Sequence, residues 1–389
     1  MGQSDGPPLM EPMAAVGHRS CVQMRALVSA AGLVVLTCGC ASHPTRSPAR
    51  PTSSSPAPAL AAVPTAQRLL GAALAFDQQL PGVVAFGGRE SSSTQVGPSG
   101  SALRWTGDQW APLTSATSPP PRSYAMLAAD QAGGLVLLGG QAETQFTPSC
   151  VASPSAGQPN CSQLVTPVRV LSDVWTLTGA GWASVDAAGT PKDAQLMAFD
   201  PSRHAVVVTG LSLNPPQGTN GTWTFDGHSW SLLSATTPDD AGSIGFDPAS
   251  GQLLAYGGRA PFDPGPDSSA ASDPGYSSTW VFRTSGWVKL DPLTKPPLSP
   301  GVLTVSPDNR QLLLIDEHGE TWTWTGTDWK TFPTSNQPAL NTSTRAGIDL
   351  TAATDLSREE VVLLVTGYDS NDVTWTLRGG AWTKHDHTP

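Results

Sequence analysis

The sequence is short of charge. Only 13% of its 389 residues are Asp, Glu, Lys or Arg, against about 25% in an ordinary soluble domain. Lysine is scarcest, at Lys192, Lys289, Lys295, Lys330 and Lys384. With net charge -10, no basic face is available for nucleic acid, which is excluded as a partner. Helix-rich and coiled-coil folds, which draw on Glu, Lys and Leu, are excluded too. Long apolar runs are also missing. The longest, Ala26 to Cys38, is too short for a spanning helix, which needs about 20 residues. Enzyme signatures are mostly missing: no His-Glu-x-x-His, P-loop or dinucleotide-binding glycine pattern occurs. One G-x-S-x-G, Gly2 to Gly6, lies in the leader, away from any strand–turn–helix context.

The leader itself is legible. Arg25 precedes the apolar run, and small residues come after it, as in an export signal. The segment VVLTCGCAS resembles a bacterial lipobox, with Gly39 before Cys40. The resemblance implies lipidation of Cys40 and residence at the bacterial cell envelope, outside the cytoplasm, with the lipid as the membrane contact. Cys38 is the other candidate, and an ordinary cleaved signal peptide the other reading. Residues 1–40 are therefore read as leader. Residues 41–66, rich in Pro, Ser and Ala, cannot bury a core and read as a tether. Beyond the leader only Cys150 and Cys161 remain. An exported chain meets an oxidising compartment, so these two are expected to pair. A metal or redox pair is the alternative, but no His lies near either.

What the sequence has in plenty is Trp, 13 against 4 Tyr. All 13 fall in six copies of one pattern: LRWTGDQW, WTLTGAGW, WTFDGHSW, WVFRTSGW, WTWTGTDW and WTLRGGAW. Each alternates apolar and polar residues, turns at small residues and reaches a closing Trp, which predicts a β-hairpin. Upstream of each lies an apolar run. It ends in a small pair in VVAFGGR, LVLLGGQ and LLAYGGR, in Thr-Gly in VVVTGL and LLVTGY, and in Asp316-Glu317 in LLLIDEH. Before that comes a further strand with a turn, as in MAFDPSRH and IGFDPASG. Each unit thus contains four antiparallel strands, and six such units predict a β-propeller. Closing tryptophans recur at roughly 40 to 70 residues, around the ~50-residue kelch period.

The chain resembles kelch-repeat propellers on the small-pair strand, the aromatic and the closing Trp. The resemblance spans residues 67–386, with blades at about 67–115, 120–187, 192–234, 240–291, 299–333 and 344–386. It implies an all-β, six-bladed kelch-type propeller. Both end units contain four strands, which leaves none to exchange between the termini. Binding then falls to the face bearing the loop after each second strand. The residues directly after the small pairs, Arg89, Gln141, Arg259, His318 and Tyr368, with Leu211 in the third unit, would ring the channel mouth. Arg suits carboxylate or phosphate groups.

The expected function is a binding module for a protein or glycan of the envelope, acting as a monomer, with no metal and no cofactor. One alternative is a carbohydrate-active enzyme (lyase, hydrolase or mutarotase) using the mouth residues. The other is a structural scaffold. Copper-radical oxidases share the kelch fold but need His and Tyr ligands and a Cys–Tyr crosslink. Of His204, His228, His318, His385 and His387, only His318 is expected near the mouth.

Overall fold

The computed structural model describes residues 69–80, 82–91, 96–142, 147–151, 160–164, 169–191, 194–210, 221–238, 240–257, 278–296, 301–340, 348–367 and 372–385. Six four-stranded antiparallel sheets succeed one another along the chain. Blade one is Ala72–Ala75, Val84–Gly87, Ala102–Trp105 and Trp110–Pro112, and blade two is Met126–Ala129, Leu135–Leu138, Val174–Thr178 and Gly181–Val185. Blade three is Leu196–Asp200, Ala205–Gly210, Gly221–Phe225 and Trp230–Ser234, and blade four is Ala241–Asp247, Gln252–Gly257, Thr279–Arg283 and Gly286–Leu290. Blade five is Gly301–Val305, Leu312–Asp316, Thr321–Trp324 and Trp329–Thr331, and blade six is Ile348–Asp355, Glu360–Gly367, Val373–Arg378 and Ala381–His385. The first strand of each blade touches the first strands of both neighbours, and blade six touches blade one. The chain is a six-bladed β-propeller. Its described residues contain no helix.

Burial explains the strand chemistry. Second strands such as LLLID and EVVLLVTG are buried at every position. Such a strand is sandwiched between two blades, and it reads as a continuous apolar run rather than an alternation. Fourth strands bury the closing Trp and expose most of the residues after it, as in WKT and AWTKH. Polar residues on such an edge discourage pairing with other chains, while the outer strands of blades three and four also expose Leu232 and Val288. The core is therefore divided. There are six apolar clusters, one for each junction between neighbouring blades.

The turn joining the first two strands has its own chemistry. Asp200, Asp247 and Asp355 are fully buried and accept hydrogen bonds from backbone N–H groups two and three residues on. The residue ending this turn is left-handed: His204 (φ 53°), Gly251 (φ 69°), Asn309 (φ 55°) and Glu359 (φ 55°). Glycine and asparagine suit that conformation, whereas an ordinary side chain costs roughly 1 kcal/mol or more there.

At four junctions the closing Trp donates its indole N–H to a buried Thr hydroxyl on the third strand of the preceding blade. The pairs are Trp287–Thr222 at 2.8 Å, Trp329–Thr279 at 2.8 Å, Trp382–Thr321 at 3.3 Å and Trp110–Thr374 at 2.9 Å. Each Thr directly precedes the first aromatic of its hairpin. At that position blade one has Ala102 and blade two has Val174. Trp182 packs in the cluster with Ala102, and Trp230 in the one with Val174. The indole nitrogens of these two tryptophans have no hydrogen-bond partner.

Blade six and blade one meet without an exchanged strand. The Leu69 N–H donates to Asp372 Oδ2 at 2.5 Å, and the Trp105 indole donates to Glu360 Oε1 at 3.0 Å. The Trp110–Thr374 bond and an edge contact of Trp105 with His385, at 4.9 Å between ring centres, complete the junction.

Candidate functional site

Antiparallel blades have two unlike ends. One end carries the turn between the first two strands, four to eight residues long, and the hairpin between the last two, two to four residues long. The other carries the loop from second to third strand and the link to the next blade. Those loops span residues 88–101, 139–173, 211–220, 258–278, 317–320 and 368–372. Length variation is thus concentrated on one end, and binding residues favour loops on a rigid scaffold.

The first two loops are built rather than merely long. In blade one, Arg89–Ser91 pairs with Val96–Pro98. In blade two, Gln141–Ala142 pairs with Arg169–Val170. A second hairpin lies between them, Thr147–Val151 with Asn160–Leu164, in which Cys150 stands directly opposite Cys161.

At the base of these hairpins an Arg–Tyr contact forms, and backbone hydrogen bonds bring further residues beside it. The Arg89 guanidinium lies 5.8 Å from the Tyr124 ring centre, a cation–π distance. Tyr124 is itself left-handed (φ 54°), and its N–H donates to Gly71 O at 2.6 Å. A Cβ on Gly71 would sit 3.0 Å from the Tyr124 ring, and Gly71 has φ 71°, so glycine fits here on both counts. Gln141 is tied to Ser123, the neighbour of Tyr124, by reciprocal backbone hydrogen bonds of 3.0 and 2.7 Å. Arg89 and Tyr124 thus meet between blades one and two, with Gln141 held beside them through the backbone.

Asp349, near the start of the innermost strand of blade six, adjoins the Arg89–Tyr124 pair. Its carboxylate accepts hydrogen bonds from the N–H groups of Gly71 and Leu350. Some of its surface is accessible, but it lies deep in the ring, and burial pushes its carboxyl above the usual Asp range despite those bonds.

Arg122 supports the pair from below. It is fully buried and meets Asp173 through two hydrogen bonds of 2.7 and 2.8 Å. It also donates to Gly139 O and Pro120 O, while its own carbonyl accepts from the Gly88 N–H. A Cβ on Gly87 would sit 2.3 Å from that carbonyl, so this small residue lets the link pass close to the blade. Burial alone would raise the Asp173 carboxyl, but hydrogen bonds from Arg122 and Trp175 prevail and hold it below the usual range.

The other residues expected at the mouth are distributed differently. His318 is exposed on the short turn of blade five, its N–H donating to Asp316 Oδ1 at 2.9 Å. Burial raises the adjacent Glu317 carboxyl. Arg259, Leu211, Tyr368 and Cys40 lie outside the described residues. Tyr124, Arg122 and Asp349 are the residues that sequence reasoning missed. Tyr124 and Arg122 sit in a link with no repeating pattern. Asp349 left one signal, an acidic residue inside an apolar first strand, IDLTAATD.

No protein-family model matches the chain, and no curated protein does. Solved structures resemble it at low identity. A triple-arginine mutant of AofleA from Arthrobotrys oligospora is 15% identical with TM-score 0.47, over 84% of this chain and 89% of that one. The SapL1 lectin in complex with alpha methyl fucoside is 12% identical with TM-score 0.42, over 82% and 96%. An auxiliary nutrient binding protein from Bacteroides thetaiotaomicron is 9% identical with TM-score 0.35, over 55% and 51%. The propeller assignment rests on the strand pairing of this chain itself.

Proposed function

We propose that the protein is a ligand-binding propeller of the kelch type, held outside the bacterial cytoplasm by lipid on Cys40, which takes a protein or glycan of the cell envelope on its loop-bearing rim. The carrying observation is the unlikeness of the two ends: the longest connections join strands at one end, and two of them contain hairpins rooted beside the Arg89–Tyr124 pair and Gln141. A scaffold needing only its blades has no use for such hairpins. Arg259, His318 and Tyr368 complete the rim in this reading, and the chain acts as a monomer. The register that sets Cys150 opposite Cys161 supports a disulfide, since directly opposed strand residues are spaced within disulfide reach. It would stiffen the outer hairpin of blade two.

The test is deletion of residues 142–170 from the full chain, with binding to purified envelope polysaccharide and peptidoglycan fragments measured beside thermal unfolding. Loss of binding with unchanged unfolding is the expected result, and retained binding would remove the blade-two hairpin from the site. Cys40→Ala should move the protein from the membrane to the soluble fraction.

A further inference from the structure

The end opposite the rim has a concavity of its own. A groove of about 390 Å³ lies between blades five and six, within the size range of small-ligand sites. One wall is the first turn of blade five, with Ser306, Asp308 and Gln311; the other is Glu359 with Arg378, Gly379 and Gly380 of the blade-six hairpin. Phe332 and the buried Leu377 supply apolar surface. The link from blade five braces the groove, since Ser335 N–H donates to Gly380 O and Trp382 N–H donates to Ser335 O. No side chain projects from Gly379 or Gly380, which leaves that rim open.

Two features separate this groove from an ordinary crevice. Glu359 holds the left-handed turn position that His204 fills in blade three, Gly251 in blade four and Asn309 in blade five. Gly, Asn and His are the residue types that tolerate this conformation and glutamate is not, and departures from local preference concentrate at functional sites. In addition, Glu359, Arg378 and the Gln311 NH₂ are uncommitted, whereas Ser306 and Asp308 are engaged with each other and with Arg310. Among the described residues the Glu359 side chain makes no hydrogen bond or ion pair, and the Arg378 side chain makes no hydrogen bond, its charge reaching Glu360 only through space. The Gln311 side-chain oxygen accepts from Thr323, while its NH₂ has no such partner.

We propose that this groove binds a single neutral pyranose residue, at a site separate from the rim and beyond the rim reading above. Asp308 is offset by the Arg310 guanidinium, 3.7 Å away, which leaves Glu359 against Arg378 and a groove near neutrality, suited to a ligand without charge. Donors on Arg378 and Gln311 interleaved with acceptors on Glu359 and Asp308 match the vicinal hydroxyls of a sugar. Phe332 and Leu377 match its C–H face.

The experiment titrates the full chain with methyl glycosides of glucose, galactose, mannose, fucose and N-acetylglucosamine, monitored by saturation-transfer NMR. At least one should bind. Arg378→Ala should weaken it about tenfold, the loss of a charge-assisted hydrogen bond. Glu359→Gly is the decisive variant: it relieves the left-handed strain, so thermal stability should rise while binding falls. Deleting residues 142–170 should leave this binding intact, which separates it from the rim. Absence of binding by all five glycosides overturns the proposal. So does binding unchanged in both groove variants, or binding abolished by the hairpin deletion.

Discussion

Four of the six junctions are closed by a Trp–Thr hydrogen bond, and two are not. The junctions of blades three with four, four with five, five with six, and six with one bury the same pair. The junctions of blades one with two and two with three bury the indole with nothing to receive its N–H. The cause is one side chain, Ala102 or Val174 in place of Thr. An unsatisfied buried donor costs about 1–3 kcal/mol, so these are the weaker seams of the ring. They are also the seams beneath the elaborated loops of blades one and two. The first of them is reinforced elsewhere, by Arg122 and Asp173. Local stability is thus least uniform where the rim is most built, as expected where binding elements tolerate local opening.

The largest effect expected is from Trp329→Ala. This residue is 2% exposed and packs edge-on against Tyr256, 5.6 Å between ring centres. Truncation should cost about 3–5 kcal/mol and additionally strand the Thr279 hydroxyl. Trp182→Ala should cost roughly 1 kcal/mol less, since it strands no partner. Equal losses in denaturant unfolding would refute the ranking of the seams.

Next comes the reinforcement. Asp173→Asn should cost about 2–3 kcal/mol, because Arg122 stays buried with its counter-charge gone, a figure discounted for the partial exposure of Asp173. The sign with pH comes from its lowered carboxyl. The native state holds the proton less tightly than the unfolded chain, so the pair contributes fully above the ordinary Asp range. That contribution disappears as pH falls through the native value. Asp173→Asn should therefore flatten the acid limb of the stability profile; an unchanged limb would show that the pair is electrostatically idle.

The comparison can also be inverted. Thr279→Val should cost about 1–3 kcal/mol by leaving the Trp329 N–H unpaired, whereas Val174→Thr should gain about 0.5–1.5 kcal/mol by supplying Trp230 with an acceptor. If Val174→Thr destabilises, the blade-two seam is not an equivalent site that has lost its hydroxyl.

How much of this was legible is uneven for physical reasons. The hairpins and their closing tryptophans repeat, so periodicity alone exposes six blades of four strands. The Thr partners were also in view, as Thr222-Trp223, Thr279-Trp280, Thr321-Trp322 and Thr374-Trp375. Their role was hidden because each serves the Trp of the next blade, about a full repeat away. Arg89 and Gln141 were found because they come directly after a small pair that recurs. Tyr124 and Asp349 were not, because the links between blades repeat nothing and channel geometry depends on all six blades at once. Glu359 was concealed differently: a turn that takes Gly, Asn or His elsewhere gives no cue that Glu can replace them.

The smallest effect tests the junction that closes the ring. Glu360 is 4% exposed and accepts the Trp105 indole N–H at 3.0 Å, an acceptor added to the Trp110–Thr374 pair. Burial raises its carboxyl, opposed by the Trp105 hydrogen bond. The native state therefore holds this proton more tightly than the unfolded chain. Stability should decline as pH climbs from the ordinary Glu range through the raised native value. Glu360→Gln keeps an oxygen for Trp105 and removes the charge, so it should slightly raise the melting temperature at neutral pH and do nothing in acid. A drop at neutral pH would mean that the carboxylate itself, rather than a neutral acceptor, holds blade one to blade six.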